Sequence, residues 1–277
     1  MKKVIFVLVA IFLIVIGIVV TRNVKSNTVS LANEKSTIKI GVTLPLSGDF
    51  AHVGKPSQKA IEMAFQEWKN RDTKYNYELI YEDNMFQPKQ AALVTNKFIN
   101  QDKVNAILSM WGNVSYIIGD AADKRGVIFL TCSGGGQVAK PYYVFNNYTQ
   151  LEDMAAVVVN KFKKEGIKKV AYVVNMSIVA EDQIEIIGGA LKEAGIEVYP
   201  VRFSQGTKDF RMAIAKTVNL NPDYYLLFLP DRPDATLFIK QYYDITGKNN
   251  LTSIDTFHEM PSSDWALTDG LWFFKSA

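Results

Sequence analysis

The sequence predicts an α/β protein of two units, each built on a parallel sheet. Three observations predict it. Short β-branched apolar runs alternate with segments of helical periodicity from Ile38 onward. That rhythm pauses near Asn146 to Gln150 and then restarts. With a single cysteine, Cys132, no intramolecular disulfide is possible, so stability rests on apolar cores, for which a hydrophobic content of 48% is ample.

Taken in order, Asn33 to Thr37 (NEKST) is a polar linker, and Ile38 to Leu46 (IKIGVTLPL) reads as the first strand. Pro56 to Asn70 places Ala60, Ile61, Ala64, Phe65 and Trp68 at helical spacing. Glu78 to Glu82 is a strand, and Pro88 to Asn100 a helix with proline in its first turn. Ala106 to Met110 is a strand, Ser115 to Lys124 a helix, Val127 to Thr131 a strand, and Tyr142 to Asn147 a strand leading out of the first unit. The second unit repeats the pattern. Helices are expected over Leu151 to Glu165, Glu181 to Ala194, Phe210 to Leu220 and Ala235 to Thr246. Strands are expected over Lys169 to Asn175, Val198 to Phe203, Tyr224 to Leu229 and Thr252 to Phe257. Gly166 and Gly195 each follow a helix, where a left-handed cap is wanted. Strands separated by helices pair in parallel through right-handed crossovers.

Ahead of this, Lys2 and Lys3 precede an apolar run from Val4 to Val20, relieved only by Gly17. Such a run leaves the cytoplasm, and its length favours an uncleaved anchor over cleavage at Ser30-Leu31-Ala32. The single cysteine lies far from the run, which argues against a lipid anchor. Residues 1–32 are thus a signal anchor or signal peptide, 38–147 a first lobe and 148–277 a second. A net charge of +3 without a dense basic stripe excludes a nucleic-acid surface.

Loops after the carboxyl ends of parallel strands converge on one crevice, so function is sought there. They are Ser47 to Gly54, Trp111-Gly112-Asn113 and Cys132 to Gly136. Small residues at such turns leave backbone amides open to an anion, and Asn113-Val114-Ser115 opens a helix whose amino end favours a carboxylate. The same residues also serve turn geometry alone. Trp111 sits where either a pocket wall or a core side chain belongs. Catalysis finds no support. His52 and His258 are far apart, His258-Glu259 lacks the second histidine of a zinc helix, and no phosphate-binding loop is present. No catalytic residue, metal or cofactor is expected.

The segments IGVTLPLSGDFAHVG, YEDNMFQPKQAALVTNKFINQDKVNAILS, RGVIFLTCSGGG, KKVAYVV, GTKDF and NPDYYLLF resemble, in order and spacing, the type I periplasmic binding proteins of the Leu/Ile/Val group of ABC transporters. The pairing of SG-x-x-A-x-x-G at Ser47 to Gly54 with D-x-x-x-x-P at Asp83 to Pro88 carries most of this weight. The resemblance implies two Rossmann-like lobes joined by a hinge. Gly112 and the turn Ser133, Gly134 and Gly135 would hold a ligand carboxylate, flanked by Trp111 and Asn113. Val53 and Val179 stand where the family places aromatic side chains. The family's acidic partner for an ammonium group would lie near Thr256 or Phe257, and Asp231, Asp255 and Glu259 are the acids available to replace it. Family members continue beyond this length, so the first lobe is expected to be incomplete at its C-terminal side.

The expected function is that of an extracytoplasmic, membrane-anchored and monomeric substrate-binding protein of an ABC importer. It would deliver an amino acid or similar small polar solute to a membrane permease. The alternative is a tethered ligand-sensing domain for a signalling partner.

Overall fold

The computed structural model describes residues 35–69, 71, 74–204, 206–229 and 232–275. The apolar run at 4–20 lies outside them, and no helix among the described residues is long and apolar enough to cross a membrane. Chain contacts set residues 35–37 and 74–76 in one compact unit and the other described residues in another. The site described below belongs wholly to the larger unit.

The strands β1 (Thr37–Leu44), β2 (Asn76–Asp83), β3 (Ala106–Met110), β4 (Ile128–Cys132) and β5 (Val144–Asn146) form a sheet of order β2-β1-β3-β4-β5. Ile40 pairs with Ala106, and Ile107 with Phe129, in parallel register. The connecting helices are α1 (Ala51–Trp68), α2 (Pro88–Lys97, extended by a π turn Phe98–Asp102) and α3 (Gly112–Asp123). Ala91, Val94 and Phe98 of the second helical segment, with Val114, Ile118 and Ala122 of α3, bury Ile107, Phe129 and Val144. Alternate residues of a strand point to opposite faces. On the other face Ile128, Leu130 and Phe145 remain 43%, 45% and 54% exposed.

A second sheet has order β10-β9-β8-β6-β7, from β6 (Lys169–Asn175), β7 (Glu197–Phe203), β8 (Tyr224–Phe228), β9 (Leu251–Ile254) and β10 (Phe273–Phe274). Its helices are α4 (Leu151–Lys164), α5 (Ile178–Gln183) running through a π turn into α6 (Gly189–Glu193), α7 (Arg211–Val218), α8 (Arg232–Thr246) and the short α9 (Thr256–Glu259). Both faces are covered. Val170, Tyr172 and Val174 pack with Val158 and Phe162 of α4 and Leu191 of α6. Ala171 and Val173 pack with Ile214 of α7 and Phe238, Ile239 and Tyr242 of α8. Two-sided burial is what the unbroken apolar strands KVAYVV and YYLLF require.

The strands and helices follow the order of the sequence reading, but several helices start earlier than expected: α3 at Gly112 rather than Ser115, and α5 at Ile178 rather than Glu181. The first helix begins at Ala51, not Pro56, so His52, Val53 and Gly54 belong to its opening turns rather than to a loop. Amides of Ala51 and Val53 donate to the carbonyls of Gly48 and Phe50, closing those turns ahead of the proline. Gly54 permits this start, because a Cβ there would collide with the Pro45 carbonyl. Cys132, the last residue of β4, is exposed.

Candidate ligand-binding site

Among the described residues, four of the six non-glycine residues with positive φ follow the carboxyl ends of strands, the others being Lys103 and Asn221. Left-handed φ values occur at Met85 (51°) and Phe86 (57°) after β2, at Trp111 (69°) after β3 and at Asp255 (56°) after β9. For residues other than glycine such conformations cost of order 1–3 kcal/mol each and persist where the surroundings enforce them, often at functional sites.

Here the surroundings are visible. The Asp83 carboxylate accepts hydrogen bonds from the amides of Leu46 and Met85, each at 2.8 Å, so the two motifs Ser47–Gly54 and Asp83–Pro88 are physically locked together. Burial opposes ionisation of Asp83, but bonds from the Ser47 hydroxyl and the neighbouring amides outweigh it and hold the carboxyl below its usual range. The turn that follows swings Phe86 against Phe50, with ring centroids 4.4 Å apart. Trp111 packs edge-on against both, at 5.1 Å from Phe50 and 5.0 Å from Phe86. Trp111 thus has aromatic partners on its own side of the molecule.

The next residue, Gly112, starts α3. Its first-turn amides, at Gly112, Asn113 and Val114, have no partners within the helix. A Cβ at Gly112 would fall inside the Val179 side chain and 3.3 Å from Ser133 Oγ. The Cβ position of Gly134 lies 3.9 Å from Val179 Cγ1 and 3.5 Å from Tyr148 Cε1. Ser133 Oγ accepts from the Gly135 amide at 3.3 Å, a bond that does not use its proton. Asn146 clamps the turn through Ser133 N→Oδ1 and Nδ2→Ser133 O, both 2.9 Å. Asn113 Oδ1 is buried without a hydrogen-bond partner among the described residues. Gly112, Ser133 and Gly134 on the first-sheet side therefore meet Val179 on the second-sheet side, in a patch of amides and one hydroxyl suited to a carboxylate.

Two acids reach this junction. Tyr148, whose ring abuts Gly134, donates its hydroxyl to Asp255 Oδ2 at 2.7 Å. Asp182, buried on α5, accepts from the Tyr116 hydroxyl of α3 and from the Gln137 amide at 3.1 Å. Burial first, and then the bond to Asp182, push the Tyr116 phenol far above its usual range, so it stays a donor at physiological pH.

A model of the periplasmic binding protein family matches residues 37–251. The chain belongs to that family. Among curated relatives of this periplasmic binding protein chain, the Leu/Ile/Val-binding protein homolog 6 of Brucella suis is 24% identical over 213 residues. That match covers 75% of this chain and 54% of the relative, so the chain spans about half the length of that relative. The gamma-aminobutyric acid type B receptor subunit 1 of Mus musculus is 26% identical over 174 residues, covering 60% of this chain and 18% of the receptor. Among solved structures, a leucine-binding protein from Thermotoga maritima has a TM-score of 0.75 at 22% identity, covering 85% of this chain and 69% of that one. A solute-binding protein of an ABC transporter from Rhodopseudomonas palustris, in complex with 4-hydroxybenzoate, has a TM-score of 0.70 at 22% identity, covering 80% and 62%. At these identities the structures establish the type I fold. The family is one of binding proteins and carries a location outside the cytoplasm.

Of the residues expected from sequence, the structure brings together Gly112, Ser133, Gly134 and Val179, with Trp111, Asn113 and Gly135 directly beside them in the chain. Val53 lies in the opening turns of α1, its carbonyl accepting from Ser57 Oγ at 2.9 Å. Thr256, expected within a strand over Thr252 to Phe257, instead opens α9, because β9 ends at Ile254; it is buried, and its hydroxyl accepts from the Leu229 amide at 2.9 Å, tying α9 to the end of β8. Asp231 lies outside the described residues. Tyr116, Tyr148 and Asp182 escaped the sequence reading. Each acts through a contact far along the chain, for which local spacing carries no signal.

Proposed function

We propose that this chain is the extracytoplasmic substrate-binding component of an ABC importer. It captures a small solute bearing a carboxylate, an amino acid in the first instance, between its two lobes and presents it to a membrane permease. The observation that carries this is the meeting of Gly112, Ser133 and Gly134 with Val179 and with the Tyr148–Asp255 pair. One end of that junction is rich in amide donors and the other holds a carboxylate, a polarity matched to an α-amino acid. Of the acids Asp231, Asp255 and Glu259, we take Asp255 as the partner of a ligand ammonium group, because its bond from Tyr148 brings it beside Gly134. The likeness to Leu/Ile/Val-binding proteins supports the same substrate class.

A second reading, an aromatic carboxylic acid, is favoured by the Phe50, Phe86 and Trp111 cluster and by the neighbour bound to 4-hydroxybenzoate. Calorimetric titration with branched-chain amino acids and hydroxybenzoates, on the parent chain and on Asp255→Asn, separates the two. For an amino-acid site, Asp255→Asn weakens binding about tenfold or more, because an ammonium loses its charged partner. A hydroxybenzoate that binds equally well to both proteins, with no amino acid binding, would assign the second reading, and no binding by either class would overturn the proposal.

A further inference from the structure

We infer that Asp182, Tyr116 and the Gln137 amide form a latch that sets how readily the two lobes close, separate from the groups that touch the solute. The inference rests on the solute-binding reading in taking the junction at Gly112 as the closed form of the clamp.

Asp182 is the buried acid of α5, on the second-sheet side, only 7% exposed. Its Oδ2 receives both the Tyr116 hydroxyl from α3 and the Gln137 amide from the turn beyond Gly136, and both donors lie on the first-sheet side. The Gln137 amide also points to Tyr116 Oη at 3.2 Å, so the three groups form a closed triangle. Tyr116 lies directly against Gly135, which ties the triangle to the carboxylate-binding turn. A buried carboxylate without donors is costly, and hydrogen bonds to a charged group are the strong ones. Among the described residues, no local group donates to Asp182 at this oxygen. Its donors come from residues 66 and 45 positions away, on the opposing lobe, so separating the lobes removes both at once.

The position of the triangle distinguishes its role from that of Asp255. Asp255 follows a strand end in a strained conformation and pairs with Tyr148 beside Gly134. Asp182 lies three residues beyond Val179 on the same helix, and its oxygen is already doubly bonded. Opening of the lobes would trade both bonds for water. Losing one bond to a charged group should therefore shift the closed-to-open ratio about tenfold, equivalent to about 1.4 kcal/mol, and leave the ligand contacts intact.

The test uses the full chain in mild detergent with Cys132→Ser and spin labels at two exposed helix positions, Lys124→Cys beside α3 and Lys216→Cys on α7. The distance distribution between the labels is recorded with and without solute. Tyr116→Phe and Asp182→Asn should each move the unliganded distribution away from the parent's compact distance, and the double variant should move it no further than either alone. The solute dissociation constant should rise about tenfold in both, with the bound distance unchanged. Distributions in both variants that superimpose on the parent's would overturn the latch, as would shifts that add in the double variant. If no solute binds the parent, the solute-binding reading fails while the unliganded distances still decide whether the triangle holds the lobes.

Discussion

The two sheets share a strand count and a parallel connectivity, yet they are buried differently. Every residue of β9, and all of β8 except Tyr224, is buried, with helices on both faces. In β4 the pattern alternates, and Ile128 and Leu130 face solvent with Phe145 of β5 beside them. In sequence the two strands look alike, since IFLTC and YYLLF are both short apolar runs. The difference teaches that an apolar run states what a strand could bury, and the layers of the fold decide what it does bury.

Substitutions should expose the contrast. The largest effect belongs to the two-sided sheet. Phe162→Ala removes a fully buried ring that packs with Trp272 and Phe274, and should lower stability by about 3–5 kcal/mol in a denaturant melt. Leu130→Ser, at an apolar residue of the one-sided sheet, should change stability by no more than about 0.5 kcal/mol while reducing the binding of a hydrophobic dye. Equal losses at the two positions would break the comparison, because they would require a covered face at Leu130.

The smallest effect concerns the strained turns. Asp83 has a folded-state pKa below its unfolded value, so its contribution to stability is fully present above that unfolded value, about 3.9. It is lost as pH falls through the lower folded value. Asp83→Asn should therefore flatten the acid limb of the stability profile, measured by thermal melts in steps from neutral pH downward. An unchanged acid limb would show that Asp83 does not hold the Leu46 and Met85 amides through its charge.

Much of the architecture is legible in the sequence. Gly166 and Gly195, read as left-handed caps, have φ of 70° and 81° just after α4 and α6. The start of α1 was missed because Pro56 reads as a first-turn proline, although the turns at Gly48 and Phe50 had already begun the helix. At the candidate site, the glycine and serine turns are legible because small residues directly after a parallel strand leave backbone amides open. The Tyr116–Asp182 and Tyr148–Asp255 pairs are not, since they join positions 66 and 107 residues apart and depend on how two sheets meet. Nor did Trp111 announce its left-handed backbone, which is fixed by Phe50 and Phe86 and by a 2.8 Å bond from its amide to the Cys132 carbonyl.

The proposed solute site lies where the first-sheet turns meet Val179. Its most direct test is the melting temperature of the full chain with and without the best-binding solute, in the parent and in Gly112→Ala, whose added methyl group occupies the space of the Val179 side chain. A ligand that binds only the folded state must raise the melting temperature. A clear rise is expected for the parent and its loss in Gly112→Ala, with the unliganded variant still melting cooperatively. A rise that survives in full in Gly112→Ala would place the solute elsewhere and contradict the account.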